Sequence, residues 1–235
     1  MRRSFEKVIK KLGYKVDKLD HKALYYQLYK KYQDFTMIQG SVYCENLYVV
    51  DKFVRKIDGD VVECGVWRGG MSAGIAELLG PARSYYLFDS FEGLPPAKEI
   101  DGIGALEWQK NTNGATYFDN CTAEIGFATK AMDLTKSKYL LKKGWFNDTL
   151  PEFKTETPIA LLRLDGDWYD STMDCLKYLY PQVQKEGVII LDDYYTWDGC
   201  SRATHDYLSS ITSASRVYSS PKGVCYIIKK DEYQP

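Results

Sequence analysis

Short apolar runs alternate along this chain with stretches in which apolar residues recur at helical spacing. Residues 60–66 form the first run (Asp-Val-Val-Glu-Cys-Gly-Val), followed by a glycine-rich turn and a helical pattern from Ser72 through Leu79. Residues 84–89, 158–165, 187–192 and 223–228 repeat the strand-like texture, and Cys175, Leu176, Tyr178 and Leu179 mark the helix after the run at 158–165. Strands alternating with helices predict right-handed βαβ crossovers and a mainly parallel sheet covered on both faces, an α/β doubly wound, Rossmann-like fold.

Two segments lie outside this rhythm. Residues 1–35 are rich in Lys, Tyr and Leu, with helical spacing at 23–29, and are expected to be a helical cover ahead of a domain spanning 36–235. Residues 91–130 have weak periodicity and many Gly, Asn and Thr; an insertion of that length predicts a lid over a site.

Composition narrows the functional classes. Lys+Arg 31 against Asp+Glu 32 leaves a net charge of -1, so charge alone holds neither nucleic acid nor an anionic membrane. No apolar run approaches the roughly 20 residues of a membrane span, and no secretory signal is visible. Six cysteines without a C-x-x-C pair fit free thiols in a reducing cytoplasm, and two histidines exclude a multi-histidine metal site. The Tyr-rich helices at the amino terminus are a candidate surface for pairing subunits into a homo-oligomer, such as a dimer.

The chemistry gathers where the runs end. Open parallel sheets bind ligands beyond the carboxyl ends of their strands. Here those ends read Glu63-Cys64-Gly65, Asp89-Ser90, Asp165-Gly166-Asp167 and Asp192-Asp193. One such Asp is an ordinary helix cap, but several around one crevice repel one another unless a cation or hydrogen-bond donors intervene. Gly65 and Gly69 suit a close backbone approach to a ligand, and Ser72 with the following helix amides suits a carboxylate; a plain tight turn accounts for the same residues. The spacing is Gly-x-x-x-Gly, not G-x-G-x-x-G, and there is no P-loop, which disfavours dinucleotide or nucleotide phosphates. Trp145 and Phe146 offer either a flank for a purine or ordinary core. Oxygen ligands from two strand ends, at Asp165-Gly166-Asp167 and Asp192-Asp193, suit a hard divalent cation, Mg²⁺ or else Mn²⁺ or Ca²⁺.

Taken in order, Glu63-x-Gly65-Val66-x-x-Gly69-Gly70-x-Ser72, Leu87-Phe88-Asp89-Ser90-Phe91-Glu92-Gly93-Leu94-Pro95, Gly144-Trp145-Phe146-x-Asp148-Thr149-Leu150-Pro151, Leu164-Asp165-Gly166-Asp167-x-Tyr169-x-Ser171-Thr172 and Gly187-x-Ile189-Ile190-Leu191-Asp192-Asp193-Tyr194 resemble the TylF type of macrocin-like, metal-dependent sugar O-methyltransferases. The resemblance implies a seven-stranded class I methyltransferase fold and S-adenosylmethionine with Mg²⁺ as cofactors. It implies Glu63, Gly65, Gly69 and Ser72 near the methionine part of the cofactor. Asp89 and Ser90 would lie by the ribose, and Trp145 and Phe146 by the adenine. Asp165, Asp192 and Asp193 would hold the metal, with Asp167 as general base. A weaker likeness to catechol-type methyltransferases lacks the Lys those enzymes carry near the first metal Asp. His205, where a small or acidic residue is expected, is assigned to a helix surface. The rival reading, a nucleotide-sugar glycosyltransferase with Asp165-Gly166-Asp167 as a D-x-D motif, leaves the glycine turn and Asp192-Asp193 unexplained.

Overall fold

A computed structural model describes residues 21–230; the expected helical cover at 1–20 lies outside the described residues. Seven strands form one sheet in the order β3-β2-β1-β4-β5-β7-β6. In chain order they are β1 (Asp60–Cys64), β2 (Ser84–Asp89), β3 (Lys138–Lys143), β4 (Ile159–Leu164), β5 (Val183–Leu191), β6 (Val217–Ser219) and β7 (Cys225–Ile228). The pairs among β1 to β5 are parallel, whereas β7 runs antiparallel to both β5 and β6. The doubly wound expectation therefore stands, with β3 and β6 added to the strands legible from apolar runs. β3 was hidden because it is an edge strand, Lys-Tyr-Leu-Leu-Lys-Lys, with no fully buried position.

The central strands show why continuous apolar runs were needed. Successive side chains point to opposite faces, and here both faces are covered. Val61, Leu87, Leu161 and Ile190 enter one core with the helices α1 (His21–Tyr32), α2 (Gly40–Phe53), α3 (Gly70–Leu79) and α5 (Ile125–Asp133). Val62, Phe88, Leu162 and Leu191 enter the other, against α7 (Tyr169–Leu179) and α8 (Asp198–Ser210). Between β2 and β3, α4 (Ile103–Lys110) and α5 follow one another, and α6 (Phe146–Thr149) is a single turn after β3.

The segment expected as a lid divides in two. Residues 125–130 begin α5, which is the crossover helix lying on α3, so the irregular part ends earlier than expected. The remainder is laced together: the Asn120 side-chain amide donates to the Leu94 carbonyl (2.7 Å), and the Gln109 amide donates to Pro95 O and to Asn120 Oδ1 (both 3.0 Å). Asp119, Asn120 and Cys121 are successive left-handed residues (φ 49, 49 and 63), a conformation that Asp and Asn tolerate better than most side chains.

Two glycines give opposite expectations. A methyl at Gly74 of α3 would collide with the buried Tyr43 hydroxyl, which donates to the Gly70 carbonyl (2.9 Å), whereas a methyl at Gly126 of α5 would meet open space. Urea unfolding should show Gly74→Ala losing about 1–3 kcal/mol by overpacking, despite the better helix propensity of Ala. Gly126→Ala should gain roughly 0.5–1 kcal/mol.

Candidate active site

Sheet order sets out the site in a line. Reading across β3, β2, β1, β4 and β5, the carboxyl ends deliver Gly144, Asp89, Gly65, Asp165 and Asp192-Asp193 in turn. The order reverses between β1 and β4, the switch point at which such sheets open a crevice. A cavity of about 1190 Å³ lies there, lined by Gly65, Asp89, Ser90, Trp145, Phe146, all six aspartates from 165 to 193 and much of the 93–121 segment. Single drug-sized ligands occupy pockets of roughly 300–1,000 Å³, so this volume exceeds the need of one.

Beneath the cavity floor sits one buried cation. Glu63 on β1 and Arg163 on β4 are register partners, and both point to the face shared by Val61 and Leu161. Arg163 is fully buried; its Nη1 donates to Glu63 (2.6 Å) and Asp165 (2.8 Å), and its Nη2 to Asp192. Burial alone would lower its pKa, but the charges of Asp192, Asp165 and Glu63 outweigh that and hold it fully protonated. Ser72 donates to the other Glu63 oxygen.

Only part of the expected methionine-side group lines the cavity. Gly65 lines the cavity, with positive φ, and a Cβ there would collide with the Asp165 carbonyl. Glu63 and Ser72 are instead sealed in the Arg163 network, off the cavity wall. Gly69 caps α3 in the left-handed region, and a Cβ would press on Ala128 of α5, so its glycine serves helix packing.

Asp89 also has a structural duty. Its Oδ2 accepts from the Val66 and Trp67 amides (both 2.8 Å) and its Oδ1 from the Phe91 amide (2.7 Å). Burial raises its pKa, and these three amides oppose the rise. A carboxylate has about four acceptor positions, so about one remains, on Oδ1. Ser90 Oγ donates to the Gly93 carbonyl (3.0 Å) and accepts from the Glu92 amide. Trp67, Phe91 and Asp167 are non-glycine residues with positive φ (47, 56 and 58), each in a turn at the end of a central strand. Every one of their amides is caught by a strand-end carboxylate: Asp89 takes Trp67 from the neighbouring strand and Phe91 from its own, and Asp193 takes Asp167 from the neighbouring strand (3.0 Å). Strain of this kind persists only where surrounding contacts over-determine it.

The acids form two groups. One carboxylate oxygen from each of Asp165, Asp167 and Asp193 lies within 4.8 Å of the others. Asp192, expected among the metal ligands, is turned onto Arg163, and Asp167, expected only as a base, joins the cluster instead. The reason is register: Asp192 Oδ1 reaches the guanidinium that Glu63 and Asp165 already hold, while Asp193 points the other way. Asp167 Oδ1 accepts from the Trp197 indole N–H (2.8 Å). Burial, and then the Asp192 and Asp89 charges, lift the Asp167 carboxyl to about 7 despite that bond. Burial and neighbouring carboxylates raise Asp165 and Asp193 well above the ordinary range. Buried acids in mutual repulsion, offering only oxygen, match the donor set of a hard divalent ion. The Gly65 turn, the Asp89 Oδ1 acceptor and the Trp145–Phe146 wall line the same cavity and could hold a cofactor that carries no phosphate.

Three functional residues escaped the sequence reading. Arg163 was visible as the lone charge inside Ile-Ala-Leu-Leu-Arg-Leu, a signal of a buried pair. Trp168, buried and donating to Pro95 O (2.9 Å), and Trp197 carry no local signal, because their partners come from distant segments. His205 lies exposed on α8, with Nε2 2.9 Å from the Tyr194 hydroxyl, as assigned. No helix among the described residues is long and apolar enough to cross a membrane.

Residues 31–215 match the family described as Macrocin-O-methyltransferase (TylF). The chain belongs to this family. It is 32% identical over 182 residues to demethyldecarbamoylnovobiocin O-methyltransferase of Streptomyces niveus, covering 76% of this chain and 69% of that one. It is 35% identical over 170 residues to the 8-demethyl-8-(2,3-dimethoxy-alpha-L-rhamnosyl)-tetracenomycin-C 4'-O-methyltransferase of Streptomyces olivaceus, covering 70% of this chain and 62% of that one. Among solved structures, the O-methyltransferase NovP superposes with a TM-score of 0.67 at 29% identity, covering 84% of this chain and 83% of the other. CalS11, a calicheamicin methyltransferase, shares the fold at 19% identity with a TM-score of 0.66, covering 93% of this chain and 96% of the other.

Two expectations follow from the charges. Arg163→Met strands buried carboxylates and should cost about 3–5 kcal/mol in urea unfolding. The Asp167 carboxyl, near 3.9 unfolded and about 7 folded, contributes stability below about pH 4 that is lost as pH rises through 7. Chelator-treated protein should thus lose on the order of 2 kcal/mol between pH 5 and pH 8. Asp167→Asn should flatten that slope in thermal melts, and Mg²⁺ should restore more stability at pH 8 than at pH 5.

Proposed function

We propose that this chain is an S-adenosylmethionine- and Mg²⁺-dependent O-methyltransferase acting on a sugar hydroxyl of a glycosylated natural product. Family membership and the sugar-methylating names of its relatives support the reaction class. The observation that carries the assignment of roles is the placement of the Asp165–Asp167–Asp193 cluster on the same cavity as the Gly65–Asp89 end.

S-adenosylmethionine supplies a methyl group on a positively charged sulfur that is a good leaving group. Asp165 and Asp193 would hold the divalent ion, whose positive charge would make a sugar hydroxyl more acidic. The chain does the rest. Asp89 Oδ1 takes a ribose hydroxyl, and Trp145 and Phe146 flank the adenine. Trp197 fixes Oδ1 of Asp167 and leaves Oδ2 to accept the hydroxyl proton, and a carboxyl raised to about 7 is well matched to that role at neutral pH. With the methyl donor bound, transfer would form the acceptor O–CH₃ bond and break the methyl–sulfur bond, the sulfur keeping the electron pair and Asp167 the proton. Alignment of oxygen, carbon and sulfur is the protein's main contribution.

Transfer of labelled methyl to a panel of glycosides, with and without chelator, tests this reading. Asp167→Asn should lower turnover about 10²–10⁴-fold while Mg²⁺ still raises the melting temperature. Asp193→Asn should remove the Mg²⁺ effect on melting together with turnover. Chelator-insensitive methyl transfer, or wild-type turnover in either variant, contradicts it.

A further inference from the structure

The helices that follow Asp167 and its indole donor both start without a cap of their own. α7 begins at Tyr169 behind Trp168, and α8 begins at Asp198 behind Trp197; neither indole caps its helix. A helix start leaves backbone amides that need an acceptor. Trp168 is committed to the Pro95 carbonyl and Trp197 to Asp167. For α7 the acceptor comes from 68 residues away: buried Asp101 takes the Tyr169 amide on Oδ1 (2.7 Å). Its Oδ2 takes the Lys98 amide (2.7 Å), so the carboxylate ties the 93–121 segment to the first residue of α7.

The same carboxylate is pressed against α8. A methyl at Gly199 would collide with Asp101 Oδ1 and press on the Tyr169 amide nitrogen (2.8 Å), and a methyl at Gly102 would press on the Asp198 carboxylate (2.6 Å). Two Asp-Gly pairs, 101–102 and 198–199, therefore interlock, each aspartate filling the space that the other pair's glycine leaves open. Negative charge at helix amino ends is favourable. Trp108 of α4 adds a second tie from the same segment, edge to face with Trp168 and Trp197 (centroids 6.2 and 5.8 Å).

We infer that Asp101 is a positioning residue for methyl transfer: it clamps the 93–121 segment onto the starts of α7 and α8, and so holds the Asp167 carboxylate against the Trp197 indole. Asp167 lies two residues before Tyr169, and Trp197 two before Gly199. A group that fixes both helix starts thus fixes base and donor relative to each other. The other end of the cavity is braced separately, by Asp89 on the Val66, Trp67 and Phe91 amides. Misplacing a reacting group by about 1 Å costs on the order of 10²-fold in rate. The kinetic half of the inference rests on the methyltransferase reading; the clamp itself does not.

The test compares the full chain in Mg²⁺ with Asp101→Asn, which puts an amide N–H where one of the two backbone donors needs an acceptor. In hydrogen exchange read by mass spectrometry, peptides from 93–121 and 166–172 should exchange about ten-fold faster in the variant, and those from 60–68 should change less than about two-fold. Calorimetry should give an S-adenosylhomocysteine affinity within about two-fold of the unaltered chain. For the best glycoside of the panel, kcat should fall about 10–100-fold with the KM for S-adenosylmethionine unchanged. Gly199→Ala, which favours the helix but wedges the same contact from the other side, should give the same pattern, and it decides the question where Asp101→Asn does not fold. Unchanged exchange in both segments, or an unaltered kcat, overturns the inference. So does a loss of S-adenosylhomocysteine affinity as large as the loss of kcat, which marks Asp101 as a general prop of the fold. Absence of transfer by the unaltered chain to every glycoside counts against the methyltransferase reading, and the exchange measurement then decides the clamp.

Discussion

The structure hangs on a single guanidinium. Arg163 sits at a strand position that the sheet makes apolar on either side, and it is fully buried. Taking a charge out of water is costly, and the cost is offset only where the partners are close and numerous. Here three carboxylates from three adjacent strands supply that compensation: Glu63 from β1, Asp165 from the end of β4 and Asp192 from the end of β5. Such a knot is a poor route to stability compared with a packed apolar cluster. Its value lies in placement, since it locks the ends of β1, β4 and β5 at the point where the crevice opens.

Two further carboxylates do the same for the backbone. Asp89 and Asp193 catch the amides of Trp67, Phe91 and Asp167, the three non-glycine left-handed residues of the strand-end turns. The acids that bound the ligand site thus also stabilise the strained turns that shape it. Removing one changes geometry as well as charge, so Asp89 is both wall and brace.

Three of the acids at the crevice also crowd one another. Asp165, Asp167 and Asp193 face one another across less than 5 Å, and burial with mutual repulsion lifts their pKa values. A divalent cation placed among them would relieve that repulsion. Beside them Trp108, Trp168 and Trp197 meet edge to face, and Trp197 also holds Asp167.

Much of this was readable from local pattern. Continuous apolar runs, buried on both faces, located the central strands of the sheet, and acids following those runs had to gather at one edge of a parallel sheet. The strand β3 and the start of α5 were not readable, because an exposed edge strand and an irregular segment carry little periodicity. The roles of individual acids lay deeper still. Sequence places Asp192 and Asp193 side by side, yet consecutive residues point in opposite directions, and only the register of β4 against β5 decides which one meets Arg163. The same holds for Glu63, whose opposite number stands 100 residues away, and for Trp197, whose indole finds Asp167 across a helix boundary. Residue order determined which chemical groups reach the crevice; pairing between distant strands decided which of them are tied down and which are left free to act, because a carboxylate's role is set by the nearest donor, and nearness is a property of the folded chain.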